Sequence, residues 1–436
     1  MSTTEKLNGY GPLAGVKVVE LCEWVAAPAC VRCLSEMGAT VIKVEPPYGD
    51  AQRTQGPGFG CEQTDMEDPT IDLNNTNKNF VSINLKNEEG MKFMKKLLAD
   101  ADIFVNNLRD KALNKMGLDY ETLHKEFPTL IWAQMRGYGE YGPEKDSPGF
   151  DAVCWAARGG VANVFREDGE SPAIAPQAFG DYNVGHMLAT GIVSALFNRT
   201  RTGKGEKVVT NLYAGAIWGG NIGICATQFG APYPKSRKHV PNPFNNTYRT
   251  YDDKWIYICM PQYDKYYPMM MGLFGHEDQI ENPDTNNLTS LKASGKNVEV
   301  IDWLEKAFAK KTFDEWMAIF KENEVPAQKC FRYTDVVKDE EAYDNDALRM
   351  VEYEAYGKRA LPMTPVRFGS YGDPPVVLSK PIVYHTAEFM HDYGYSDEEI
   401  AKIAEDGGVV VYDGPEIEDR IFVSKRQAAG EAPCNW

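Results

Sequence analysis

One carboxylate stands out for its setting. Asp181 lies in QAFGDYNVGHMLATGIVSALF (177–197), directly after Gly180 and just ahead of an apolar helical pattern. Two chemistries suit it. Asp is among the best helix N-caps, and Val184, Met187, Leu188, Gly191, Ile192, Ala195 and Leu196 recur behind it at helical spacing. Val184 three residues on means there is no capping box. The other chemistry is nucleophilic. A carboxylate of ordinary pKa, about 3.9, is ionised at neutral pH and needs no base. It attacks better where fixed dipoles replace water, and a small neighbour such as Gly180 lets an electrophile approach. Attack on a thioester would give an acyl-aspartyl anhydride. The residues alone leave both roles open, the cap being the commoner one.

Other candidates have plainer readings beside the sharper ones. Cys30 and Cys33 form a C-x-x-C after a strand, a redox pair or half a zinc site. No second cysteine pair sits at ligand spacing and the six histidines do not cluster. Apolar packing explains both thiols, and no metal is expected. The first strand–helix turn, LCEWVAAPAC, lacks G-x-G-x-x-G, so NAD is not expected and Glu45 reads as a strand-end carboxylate. His186 is either packed or a proton carrier. Lys78, Lys115 and Arg136 fall near strand ends or just after them. Solvated charge is the ordinary reading of lysines, yet their shared edge in an acidic chain suits a phosphate-bearing ligand.

These residues need elements to position them. Strand GVKVVEL (15–21), helix APACVRCLSEMGA and strand TVIKVE (40–45) make one βαβ unit. VSINL, DIFVNN and TLIWAQMRGYG repeat the alternation, which predicts an α/β fold with a doubly wound, Rossmann-like parallel sheet. Ligands of such sheets bind beyond the carboxyl ends of the strands, where Asn106, Asn107, Arg136 and Tyr138 fall. The predicted organisation is a large-domain part at 1–230 and a Pro/Asn-rich linker at 231–245. A smaller α+β domain follows at 246–330, with a hairpin about Asp252–Asp253. A return segment at 331–412 completes the large domain, and 413–436 reads as a partly ordered tail.

Composition sets outer limits. The 436-residue chain carries a net charge of −17, which disfavours nucleic acid and anionic membrane as partners. No apolar run approaches the ~20 residues of a membrane span, and the start of the chain is polar. Nine scattered cysteines suit reduced thiols in a cytoplasmic compartment.

Six stretches in consistent order carry a resemblance. They are GVKVVELCEWVAAPACVRCLSEMGATVIKVEPPYGD (15–50), NKNFVSINLK (77–86), KALNKMGLDYETL (111–123), MRGYGEYGP (135–143), GFDAVCWAARGG (149–160) and FGDYNVGHMLATGIVSALFNRTRTGKGEKV (179–208). Together they resemble the class III CoA-transferases, from Gly15 to about Val411. VPNPFNNTYRTYDDKWIYICMPQYDKYY (240–267) is most like the clostridial branch acting on 2-hydroxy acids of phenyllactate and 2-hydroxyisocaproate type.

The resemblance implies that Asp181 is a nucleophile forming a covalent aspartyl-CoA thioester. It implies acyl-CoA as cosubstrate, contacted by Trp24, Val25, Lys78, Asn107, Leu108, Lys115, Arg136 and Tyr138. It further implies an interlocked homodimer, a carboxylic acid as second substrate, and a place in amino-acid fermentation, with a 2-enoyl-CoA such as cinnamoyl-CoA as donor. Gly137, Gly139 and the region of Gly180 are candidates for the oxyanion site. Val25 replaces a glutamine and Pro46 an arginine of the formyl-CoA branch, which favours a bulky, less polar acid. A bile acid or carnitine is the alternative. A racemase of this fold would carry G-H-D where this chain has Gly149-Phe150-Asp151, and phenylalanine cannot carry a proton. A non-catalytic CoA-binding protein would not need Asp181. A redox protein would need Cys30 and Cys33.

Overall fold

In the computed structural model, residues 10–431 are described, and they form two compact units. The larger runs to Val161 and includes Ile174–Asn221 and the chain from Asp339 onward. Its strands are β1 (Lys17–Leu21), β2 (Thr40–Glu45), β3 (Lys78–Ile83), β4 (Ile103–Asn106), β5 (Ile131–Arg136) and β6 (Lys207–Asn211). They pair in parallel in the order β3-β2-β1-β4-β5-β6. That is the doubly wound order, which reverses between β1 and β4 and opens a crevice there. Val18, Val19, Val41, Ile42, Phe104 and Val105 are fully buried, as strands covered on both faces must be.

Two helices cross on one face of this sheet. Ala26–Glu36 is buried on all sides because the 24-residue helix Phe179–Thr202 packs over it. Gly185 makes the crossing possible. A Cβ there would lie 2.8 Å from the Ala26 carbonyl oxygen. The contact sets the start of the long helix over the end of β1.

The outer edge of β3 is closed by the end of the chain. Asn77 exchanges hydrogen bonds with the Val377 backbone, its N–H donating at 2.9 Å and its Oδ1 accepting at 2.7 Å. The Phe80 N–H donates to His385 Nδ1 and the Ser82 N–H to Thr386 Oγ1, both at 3.0 Å. Val409–Val410 then pairs antiparallel with β3. Side chains and a two-residue strand thus satisfy an edge that would otherwise be an open template.

Within the sheet lies a buried ion cluster. Lys43 Nζ meets Glu20 Oε1 at 3.1 Å and Asp50 Oδ2 at 2.9 Å, and Lys78 Nζ meets Glu20 Oε2 at 2.7 Å. All four side chains are fully buried. Breaking one partner of such a cluster costs about 3–5 kcal/mol.

The smaller unit comprises Ala162–Ala173 and Ile222–Lys338. It holds the expected hairpin, Asn245–Arg249 with Trp255–Cys259, turned at Asp253 with φ +61°. Helices Tyr263–Phe274, Asn297–Phe308 and Phe313–Glu322 surround an aromatic core of Phe244, Tyr248, Tyr263, Phe308 and Trp316. Its limits differ from the 246–330 read in the sequence. Residues 231–245 are part of this unit, because Asn242 Nδ2 donates to Met260 O, Asn246 Nδ2 to Arg237 O, and Phe244 is a core residue. Polar side chains fasten a segment whose composition reads as a linker.

The tail expectation also needs correction as far as Glu431; residues 432–436 lie outside the described residues. Ile421–Phe422 pairs antiparallel with Val376–Val377, Lys380 Nζ meets Asp419 Oδ1 at 2.6 Å, and Arg349 Nη1 donates to Phe422 O at 3.0 Å. These anchors come from side chains far away in sequence, so 413–431 is packed without showing a period.

Candidate functional site

A cavity of about 370 Å³ opens at the crevice between β1 and β4. Trp24 and Val25 enter it from the turn after β1, Asn107 and Leu108 from the loop after β4, and Arg136 and Tyr138 from the end of β5. Asp181 enters from the start of the long helix. Seven of the residues singled out in the sequence therefore share one cavity, placed where a doubly wound sheet binds ligands.

Asp181 is not an N-cap. The helix begins at Phe179, after Ala178 in the left-handed conformation with φ +58°, which puts Asp181 at its third position. Asp151 lies against Gly180, and burial raises its pKa, offset in part by the Gly180 and Asp181 amides. Gly180 is needed for this approach, since a Cβ there would meet Asp151 Oδ1 and Trp155 Cγ, each at 2.3 Å. Asp151 Oδ1 itself has no hydrogen-bond partner and the residue is 7% exposed.

Nor is Asp181 an ordinary ionised carboxylate. Burial, with Asp151 adding repulsion, pushes its pKa up to about 7. Near neutrality the group is divided between acid and anion. Once ionised, it is a more basic and stronger nucleophile than an exposed aspartate, and its own helix N-terminus still favours the charge.

The polar neighbours are held rather than loose. Asn107 Nδ2 donates to Glu23 O at 2.7 Å and its Oδ1 accepts from Glu23 N–H at 3.2 Å, tying the loop after β4 to the end of β1. Arg136 Nη1 donates to Asp110 Oδ1 at 2.6 Å and Gln134 Oε1 at 2.9 Å. Partial burial would raise the Asp110 pKa, but this guanidinium holds it below the carboxylate norm. Trp24 has φ +67°, a left-handed backbone that a bulky residue adopts only under constraint. Its N–H donates to Asp50 Oδ1 at 3.0 Å.

Two of the singled-out residues lie elsewhere. Lys78 lines no part of the cavity. Its ammonium is sealed in the ion cluster, donating to Pro28 O and Asn75 Oδ1 at 2.9 Å each. Burial pulls its pKa down to about 8, against the pull of Glu20. Lys115 is exposed on the helix Asp110–Met116 and borders a separate groove with Met116 and Phe127.

Cys30 and Cys33 are fully buried in the helix Ala26–Glu36, and burial pushes the Cys33 thiol up to about 12. His186 is held between Tyr182 O (3.2 Å) and Cys33 Sγ (3.5 Å). Glu45 is buried and paired with Arg53 at 2.9 Å. Among the described residues there is no group of three or more potential metal ligands, and no helix long and apolar enough to cross a membrane.

Sequence reasoning passed over two residues at the site. Phe150 lines the cavity and meets Trp24 edge to face, ring centroids 5.4 Å apart at 87°. Asp151 faces the helix that carries Asp181. Both stood in Gly149-Phe150-Asp151, weighed only for its missing histidine.

A doubly wound α/β protein with a poised carboxylate at its switch point is an enzyme framework for an extended, anionic ligand. The chain belongs to CoA-transferase family III, whose model matches residues 13–381, and it is a CoA-transferase of that family. It is 40% identical over 407 residues to cinnamoyl-CoA:phenyllactate CoA-transferase of Clostridium sporogenes, covering 93% of this chain and 98% of that protein. It is 39% identical over 400 residues to (R)-2-hydroxy-4-methylpentanoate CoA-transferase of Clostridioides difficile, covering 92% and 100%. Among solved structures it resembles a CAIB/BAIF family protein from Brucella suis, with TM-score 0.72 and 26% identity over 88% of this chain and 99% of that one.

Proposed function

We propose that this enzyme moves CoA from an acyl-CoA, such as a 2-enoyl-CoA, to a 2-hydroxy carboxylic acid with a bulky apolar side chain, through a covalent intermediate on Asp181. The observation that carries the reading is Asp181 itself. It is a half-buried carboxyl with a raised pKa, in a cavity walled by Trp24, Val25, Leu108 and Phe150. The names of the two clostridial relatives support the substrate class, and amino-acid fermentation is the setting that class suits.

The reaction balances in four steps. The Asp181 carboxylate attacks the donor thioester, forming a mixed anhydride and expelling CoA thiolate. The thiolate attacks the Asp181 carbonyl, forming the aspartyl-CoA thioester and freeing the donor acid. The acceptor carboxylate attacks that carbonyl and expels the thiolate, giving a second anhydride. The thiolate then attacks the acceptor acyl carbon, which yields the new acyl-CoA and returns Asp181 as carboxylate.

Each step passes through an oxyanion, and one well-placed donor is worth about 10²–10³ in rate. The Gly137–Gly139 turn, whose Gly137 lines the cavity, is the candidate we favour. The cavity residues fit an acyl-CoA: apolar walls for the acyl end, and Arg136, Asn107 and Tyr138 at the strand ends for the polar remainder. Lys78 would act from beneath the site, as part of the cluster that supports it. Lys115 would reach only a distal phosphate.

The working form we propose is a homodimer. The helix carrying Asp181 leaves Phe179, Val193 and Phe197 exposed, and the following helix Leu212–Gly219 leaves Ile217 and Trp218 exposed. A second copy would cover these apolar faces.

The test is a panel of acyl-CoA donors and carboxylic acceptors, with intact-mass analysis. Wild type incubated with acyl-CoA should gain a hydroxylamine-sensitive adduct on Asp181, and Asp181→Ala should gain none and lose transfer. Normal turnover by Asp181→Ala would overturn the reading.

A further inference from the structure

We propose that Phe150 and Trp24 form an aromatic wall that selects acids with a large apolar side chain, and that Asp50 is a positioning residue holding Trp24 in that wall. This deepens the transferase reading above and rests on it.

The wall is built, not incidental. Trp24 stands in a left-handed backbone conformation, which persists only where the surroundings over-determine it. Two constraints do so here. Asn107 grips both backbone groups of Glu23, the preceding residue. Asp50 accepts the Trp24 N–H on Oδ1 and ion-pairs with Lys43 through Oδ2. Lys43 is fixed in turn by Glu20 Oε1 and by Cys22 O at 2.9 Å, and Glu20 by Lys78. Charges from three strands thus converge on a single amide. A buried cluster is weak evidence for stability but a precise way to fix geometry. What it fixes is where the Trp24 ring points.

The ring points to Phe150. The pair is edge to face, and Phe150 is still 52% exposed although it lines the same cavity as Asp181. A phenylalanine with its surface open inside a cavity has room for one more apolar partner. Its neighbour Asp151 packs against Gly180, the residue before Asp181, and Phe150 and Asp181 line one cavity, so the open ring surface belongs to its acyl end. An aromatic or branched acid would complete the aromatic contact, while an acid with only a methyl side chain would leave it wet. A hydrophobic wall of this kind separates substrates by about 10–200-fold.

The experiment measures kcat/KM for 3-phenyllactate and for lactate as acceptors with one acyl-CoA donor. Phe150→Ala should lower the phenyllactate-to-lactate ratio by about 10–200-fold. Asp50→Ala should lower the same ratio, acting through the KM of phenyllactate. Asp50→Asn offers the Trp24 amide an oxygen again and should restore most of the ratio. A merely structural loss would depress both acids together and leave the ratio unmoved. An unchanged ratio in Phe150→Ala overturns the wall. Should Asp50→Ala not fold, Asp50→Asn decides: a ratio as low as that of Phe150→Ala overturns the positioning role. Failure of the parent reading is separate, because wild type would then transfer CoA to neither acid.

Discussion

Replacing the proposed nucleophile should make the free protein more stable. The perturbation is Asp181→Asn, close in shape to a protonated aspartate. The Asp181 pKa rises from 3.8 in the unfolded chain to about 7 in the fold. The folded state therefore keeps a proton that the unfolded state has released. Stability falls as pH rises from about 4, and the full penalty stands above about 7. Three units at about 1.4 kcal/mol each give a ceiling of about 4 kcal/mol. Solvent reaches part of this side chain, so about 2 kcal/mol is the working figure. The assay is thermal unfolding without CoA at pH 4, 6 and 8. The Asn variant should match wild type at pH 4 and exceed it by several degrees at pH 8. Equal or lower stability at pH 8 would refute the argument that burial and Asp151 strain this carboxylate.

Further expectations follow from the same geometry. The rate of adduct formation on Asp181 should climb with pH through about 7 as the anion forms, in single-turnover mass spectrometry; a flat profile from pH 5 to 8 would contradict it. Asp151→Asn removes the repelling charge and should shift that profile to lower pH, read by the same method. His385 is 2% exposed, and burial pulls its pKa down to about 4. It is neutral when folded, so about 3 kcal/mol of stability present above pH 6.5 should be lost as pH falls toward 4. His385→Gln should flatten that window in acid unfolding curves. Gly180→Ala should abolish transfer or folding, as its Cβ would strike Asp151 and Trp155, and soluble protein with normal turnover would be the contrary result.

The sheet was legible because its strands are short β-branched runs separated by helical periods, signals that are local. The crevice residues Asn107, Arg136 and Tyr138 were legible for a topological reason, since strand ends are where this architecture binds. What escaped is non-local. Lys78 reads as a strand-end cation, but its fate is set by Glu20 and Lys43 on two other strands. The start of the Asp181 helix was misplaced by capping logic, which sees neighbours in sequence. The helix begins two residues before Asp181, after a left-handed alanine that composition does not announce. The segment 413–431 carries no period because Lys380 and Arg349 anchor it.

The closure of β3 has a bearing on biosynthesis. The strand is translated early, but its outer border waits for residues 377, 385–386 and 409–410, some three hundred positions later. At ribosomal speeds of about 5–20 residues per second, the nascent sheet spends roughly 15–60 seconds with a bare flank. A prematurely stopped product would keep that flank for good, and an unsatisfied strand edge invites pairing with any chain nearby. Emergence of residues 377–410 is thus the moment at which the newborn polypeptide becomes safe from its siblings.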